Sequence, residues 1–444
     1  MLVEFRVQNH RSLLDEQVLT MEAGRVGSPD DQRPRNVDGF CLLPTVALYG
    51  ANASGKSNVL SALGFMRDAV IESHSAWPPQ GGVPRDAFAW GTGPSSPSLF
   101  EASFLIKGVR HQYGFVVDQT RVVEEWLFAW PKGRRQIWLE REGDGFSFGD
   151  NLKGENRAVE HVTRPNALFL STAAQHDHEQ LLPVYAWFRQ LRTIRVEGYK
   201  ERYADAMPGA AAAAMLAALA AASAASPNGM VRLFDLIPRP GDEGRAISEL
   251  ARLDDVGASR VRDLLHAADV GVTDFRVEAS PGGGKPRGLS ATQVSLRHAA
   301  GTGEDGWITL ERESAGTRAI LRLAPAVIDT LRTGGLLVVD ELESSLHPLL
   351  ASEMLKQFND VRTNSNHAQL LFTTHDTNLL GTTSGPTALR RDQVWLTEKA
   401  DNGATHLFPL TDYKPRKAEN LERGYLQGRY GAIPFLGALA RGEE

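Results

Sequence analysis

Gly50-Ala-Asn-Ala-Ser-Gly-Lys-Ser57 follows the apolar run Thr45-Val-Ala-Leu-Tyr49 directly and precedes Asn58-Val-Leu-Ser-Ala-Leu63. Strand, glycine loop and helix are therefore read in that order. A phosphate cradle needs this arrangement: glycines let the backbone turn so that successive N–H groups face an anion, a lysine reaches the β- and γ-oxygens, and a serine binds Mg²⁺. Gly50, Gly55, Lys56 and Ser57 occupy those places, and Asn52, Ser54 and Asn58 complete the expected nucleotide contacts. An isolated glycine turn can match so short a pattern. The flanking strand and helix supply the context that the chemistry requires.

A phosphate loop alone hydrolyses nothing. A carboxylate must support the metal, and another group must activate the attacking water. Leu336-Leu-Val-Val-Asp340-Glu341 offers both at the end of a buried-looking strand, with Asp340 toward Mg²⁺ and Glu341 as general base. Lys56 and Asp340 stand 284 positions apart. Such an interval demands a large insertion, and a site assembled from distant parts of the chain.

Composition narrows the setting. The formal net charge is -6 and no polybasic tail is present, so dominant electrostatic attraction to nucleic acid is not indicated. The single cysteine, Cys41, rules out an intramolecular disulfide and suits a reducing compartment. The alternating start Met1-Leu-Val-Glu-Phe-Arg-Val lacks the pattern of a secretion signal. Ala210 to Ala225, the most apolar stretch, is short for a bilayer span and mostly alanine. A soluble cytoplasmic protein without a membrane partner is expected.

Periodicity divides the chain into three zones. Residues 1–170 alternate as strands: Leu2–Val7, Phe100–Ile106, His111–Val117 and Val122–Trp130 predict an antiparallel meander beside the phosphate loop. Residues 171–290 read mainly helical, from Leu181, Leu182, Val184, Trp187, Phe188 and Leu191 and again from Val261, Leu264, Leu265 and Ala268. Residues 291–444 return to α/β, with strands at Leu336–Val339, Gln369–Thr373 and Gln393–Thr397. The expected domains are a first lobe with the phosphate loop, a helical insertion and a second lobe carrying the remaining motifs.

The split site resembles the ATPase heads of the RecF, Rad50 and SMC group, which are ABC-type. That resemblance requires further motifs in fixed order. Glu313-Ser-Ala-Gly-Thr-Arg318 occupies the place of the signature sequence, where Ser314 and Gly316 would meet the γ-phosphate of an opposite subunit. Alone, Ser-Ala-Gly-Thr reads as a helix cap. Glu343-Ser-Ser-Leu-His-Pro348 stands at the D-loop, with His347 where many ABC proteins carry aspartate. His375 matches the switch histidine. Gln175, where strand pattern yields to helix in Phe169–Gln175, is the Q-loop candidate for magnesium or water, and Arg11 resembles an arginine of Rad50-like heads that approaches phosphate. Both have bland alternatives, a surface glutamine and a turn residue.

Together the motifs are similar to the AAA15-type ATPases, also called the AAA_21 or RloA-like group, whose heads are ABC-type. The tail Tyr425-Leu-Gln-Gly-Arg-Tyr-Gly-Ala-Ile-Pro434 extends the likeness. The resemblance implies an α/β head with an antiparallel β subdomain and an inserted helical part. It further implies ATP and Mg²⁺ as ligands, a homodimer or higher oligomer, and a role in bacterial anti-phage defence as in PARIS. There the ATPase controls a separate effector, Toprim-like, RloB-like or an HNH nuclease. No Toprim domain fits after His375, and His176 and His178 read as a polar helix start rather than a metal pair, so nuclease activity in this chain is not expected. A RecF-like DNA-binding repair ATPase is the alternative, and a transporter ATPase, which needs a membrane partner, fits less well.

Overall fold

A computed structural model describes residues 1–26, 31–195, 242–267, 271–279, 292–301, 303–344, 346–381, 387–414 and 419–434. The alanine block and the breaks read at Asn228, Pro238 and Pro281 lie outside them, as does the loop after Gly381. The described chain opens with β1 (Leu2–Gln8), β2 (Gln17–Thr20) and a small hairpin of β3 (Arg35–Val37) and β4 (Phe40–Leu42). β5 (Thr45–Gly50) leads through the glycine loop into α1 (Lys56–Glu72). A meander of β6 (Ser98–Ile106), β7 (Val109–Val117), β8 (Val122–Ala129), β9 (Gln136–Glu142) and β10 (Gly145–Phe148) follows. Next come α2 (Asn156–Val162), α3 (Phe169–Gln175), α4 (Leu182–Gln190) and the short β11 (Arg192–Ile194).

Proximity of Cα atoms groups residues 1–199, 334–341 and 355–444 into one compact unit, and 200–333 with 342–354 into a second. The first unit holds two large sheets. The antiparallel one runs β10-β9-β8-β7-β6-β1-β2, as the alternation of the first zone predicts. The other adds β15 (Leu336–Val339), β16 (Gln369–Thr373), β17 (Val394–Lys399) and β18 (Thr405–Pro409), in the order β11-β15-β16-β5-β17-β18. All its neighbours are parallel except β17 and β18. Its central strands are buried along their whole length, which explains their continuous apolar runs. One core joins both sheets to α1, α3 and α4, with the Phe100 ring packed at a tilt against Phe65 (4.8 Å) and Phe115 (5.4 Å). Each such ring contributes about 1.5–3 kcal/mol by leaving water.

In the second unit the helices Asp242–Leu250, Asp255–Ala267 and Ala315–Thr333 accompany a three-stranded sheet of β12 (Val272–Ala279), β13 (Thr292–His298) and β14 (Trp307–Thr309). The zone read as mainly helical thus contains strands β11 and β12. β11 is three residues long, too short to show a period. In β12 a register shift between Val272 and Asp274 interrupts the alternation that Phe275 and Val277 carry. Among the described residues no helix is long and apolar enough to cross a membrane.

Candidate nucleotide site

Parallel pairing sets β5, β15, β16 and β17 with their carboxyl ends at one edge of the sheet, the edge where open α/β sheets bind ligands. Three of the sequence motifs therefore converge. The glycine loop leaves β5, Asp340 and Glu341 follow β15, and His375 follows β16. β16 lies between the other two, which accounts for the spacing of the chemistry across the sheet.

The loop is shaped by two close approaches. A Cβ at Gly50 would lie 2.3 Å from the Thr397 hydroxyl and 2.6 Å from the Thr397 carbonyl oxygen, and one at Gly55 would lie 2.1 Å from the Thr405 hydroxyl. Gly55 also has φ 106°, which side chains rarely adopt. It forms the N-cap of α1, whose first turn, Lys-Ser-Asn-Val, contains no acid to compete with an anion at the positive end of the helix. Lys56 is buried, and its Nζ donates to the carbonyls of Gly50 (2.8 Å) and Ala51 (3.0 Å) across the loop. Asn52 and Ala53 are exposed at the loop tip, Ala53 with φ 62°.

The metal-side residues meet directly. Ser57 Oγ donates to Asp340 Oδ1 at 3.0 Å, although the two stand 283 positions apart. Thr373 Oγ1 donates to the same oxygen at 2.5 Å while accepting the Glu341 N–H at 2.7 Å. Thr373, fully buried at the end of β16, ties the acidic turn to the sheet. Among the described residues Asp340 Oδ2 has no protein donor. Mg²⁺ selects hard oxygens and usually takes one or two protein ligands beside water and phosphate. A serine hydroxyl and a half-open carboxylate in contact fit that demand.

Glu341 is exposed and has φ 52°, and its carbonyl accepts from Arg195 at 2.8 Å. His375 is exposed in the turn two residues beyond Thr373. Gln175 is not at a strand end: Phe169–Gln175 is helical throughout, and Gln175, half-buried, is its last residue. The helix starts without a local cap because the carboxylate of Glu125, on β8, accepts the N–H groups of Phe169 (2.7 Å) and Leu170 (3.0 Å). Among the described residues Gln175 makes no hydrogen bond to Ser57 or Asp340. Arg11 lies in a turn with φ 52°, and its Nε donates to Asp86 Oδ2 at 2.9 Å.

In the second unit, Ser314 caps the helix Ala315–Thr333, accepting the Thr317 N–H at 3.1 Å. Gly316 is partly exposed in the first turn. Glu313 is fixed by His298 of β13 at 2.6 Å. His347 is exposed, and its Nδ1 accepts the Leu349 N–H. His178 Nε2 is bonded to Asn156 at 2.9 Å, and burial pushes its imidazole below the usual histidine range. Among the described residues no group of three or more His, Cys, Asp or Glu could hold a metal ion.

Sequence reasoning missed Ser12, Thr373, Arg195, Thr397 and Thr405. Four are hydroxyl residues, common on any surface or strand. Their only textual hint is position, at or near the ends of strands.

A family model described as an AAA domain, putative AbiEii toxin, Type IV TA system, matches residues 46–381. Among solved structures, the chain is similar to the SMC head domain from Thermotoga maritima, at 12% identity and TM-score 0.38, over 92% of this chain and 98% of that one. It is also similar to the Smc head domain with an extended coiled coil bound to the C-terminal domain of ScpA derived from Pyrococcus furiosus. There the identity is 12% and the TM-score 0.43, over 96% and 98% of the two chains. No curated protein matches.

Proposed function

This chain belongs to the AAA_21 family of AAA domains, and we propose that it is an ABC-type ATPase that works as a dimeric ATP-driven switch on a separate effector protein in bacterial anti-phage defence. The observation that carries the nucleotide half of this reading is the Ser57–Asp340 hydrogen bond, which joins the phosphate loop to the acidic strand end across 283 positions. Lys56 and the N–H groups of the loop hold the β- and γ-phosphates. Ser57 and Asp340 would hold Mg²⁺, which when bound neutralises charge developing on the transferred phosphoryl group. Glu341, one residue beyond Asp340 and exposed, takes the proton of the attacking water, and His375 orients that water from the neighbouring strand end. Gln175, at the end of α3, is the proposed further contact to Mg²⁺ or the attacking water. The defence role and the effector rest on the family resemblance alone.

The dimer follows from Ser314 and Gly316, assigned to the phosphate of an opposite subunit. Subunit mixing tests this. Lys56→Ala and Ser314→Arg chains, each inactive alone, should regain ATP turnover when mixed, because one of the two composite sites in the mixed dimer is intact. Failure to recover activity from mixed chains shown to associate would defeat the composite site. Expression with each adjacent reading frame under phage challenge tests the effector; protection that persists with Lys56→Ala would remove ATP from the switch.

A further inference from the structure

The loop is gripped from outside by a chain of hydroxyls whose proton direction can be worked out. Thr405 Oγ1, 1% exposed, donates to the Ser54 carbonyl at 2.8 Å. A hydroxyl has one proton, so toward Ser12 Oγ, 2.7 Å away, Thr405 must accept. Ser12 in turn spends its proton on Thr405 and accepts from Asn58 Nδ2 at 2.6 Å. The relay therefore runs one way: Asn58 to Ser12, Ser12 to Thr405, Thr405 to the Ser54 carbonyl. Main-chain pairing reinforces it, since the Thr405 N–H donates to the Ser12 carbonyl at 2.7 Å. A second grip, between the Ser54 and Thr397 hydroxyls at 2.6 Å, holds the same residue from β17.

Peptide geometry turns this grip into a consequence for the ligand. In a planar trans peptide the C=O and the following N–H point in opposite directions. Holding the Ser54 carbonyl toward β18 turns the Gly55 N–H away from it. Among the described residues that N–H has no protein acceptor, and it stands at the N-cap of α1. We propose that Thr405, oriented by Ser12, is a positioning residue that aims the Gly55 N–H at the β-phosphate of the bound nucleotide. The same contact explains Gly55: the Thr405 hydroxyl occupies the space of a Cβ. This inference rests on the nucleotide reading above and names residues outside the loop motif.

Calorimetric titration of the full chain with ATP and with ADP tests it, alongside turnover at saturating ATP. Thr405→Val keeps the shape and removes the donor. It should weaken ATP and ADP alike, by about tenfold, the equivalent of one hydrogen bond, with kcat within about twofold of wild type because the β-phosphate is held in ground and transition states equally. Thr405→Ser should restore both affinities. Ser12→Ala, which leaves the Thr405 donor but unfixes it, should weaken both nucleotides less. Unchanged affinity in Thr405→Val, or a serine variant as weak as the valine one, would overturn the proposal. If Thr405→Val does not fold, unchanged affinity in Ser12→Ala does so instead. A wild-type chain that binds neither ATP nor ADP defeats the nucleotide reading itself, an outcome separate from these.

Discussion

Glu125 and Asp340 are both carboxylates that tie a strand to a distant segment, and their surroundings differ in almost every respect. Glu125 is fully buried in the antiparallel sheet and accepts from the N–H groups of Phe169 and Leu170 and from the Tyr113 hydroxyl, with Arg141 at 3.6 Å. Burial pushes its carboxyl up and the Arg141 guanidinium down, while both Glu125 oxygens are engaged. Asp340 is half-open, with both its donors on one oxygen and the other oxygen without a protein partner among the described residues. The sealed carboxylate completes a fold. The open one keeps an oxygen clear of protein donors among the described residues, and the contrast separates structural polarity from the polarity proposed for the site.

The largest expected effect falls on the open side. Lys56→Ala should reduce ATP binding and turnover to background, while the fold persists with a modest loss of stability from the two loop carbonyls the ammonium holds. Retained tight ATP binding by calorimetry would break the comparison at its root. On the sealed side, Glu125→Ala should cost about 3–5 kcal/mol in denaturant unfolding, since it uncaps α3 and strips a buried guanidinium of its carboxylate. ATP affinity of the folded fraction should hold. A fall below about 1 kcal/mol would mean that the carbonyls of Ala167 and Pro165, which also accept from Arg141, suffice without it.

The same contrast explains what the sequence disclosed. Gly50–Ser57 and Asp340–Glu341 are contiguous strings whose chemistry depends on local order, so they were legible, as were the central strands with their unbroken apolar runs. Only the start of α3 departs from the reading of strand yielding to helix, because its cap comes from Glu125 on another strand and nothing local in Leu168-Phe169-Leu170 marks a helix start. Thr405, Thr397 and Ser12 were invisible for a related reason. Each acts through one hydroxyl brought to the loop by tertiary folding, and neither spacing nor composition records such a contact.

A moderate effect is expected one residue from Asp340. Glu341→Gln removes the proposed base and keeps the shape, so turnover should fall by about 10²–10⁴-fold, while ATP affinity is retained and the proposed ATP-bound dimer lasts longer in sedimentation. Unchanged steady-state hydrolysis would move the base elsewhere, with His375 the next group to test.

The smallest effect concerns Arg11, and there the sign matters more than the size. Its guanidinium, with a side chain 10% exposed, pairs with Asp86 at 2.9 Å, and its N–H donates to the Asp86 carbonyl. If the pair only braces the turn, Arg11→Ala and Asp86→Ala should each lower stability by about 0.2–1 kcal/mol and leave ATP affinity alike. If Arg11 swings to phosphate when nucleotide binds, the two variants must diverge: losing Arg11 weakens ATP, whereas losing Asp86 removes the competing carboxylate and strengthens it. The geometry as it stands, with both the side chain and the backbone of Arg11 on Asp86, predicts matched affinities. Opposite shifts in a paired ATP titration would transfer Arg11 from the braced side of the comparison to the open one.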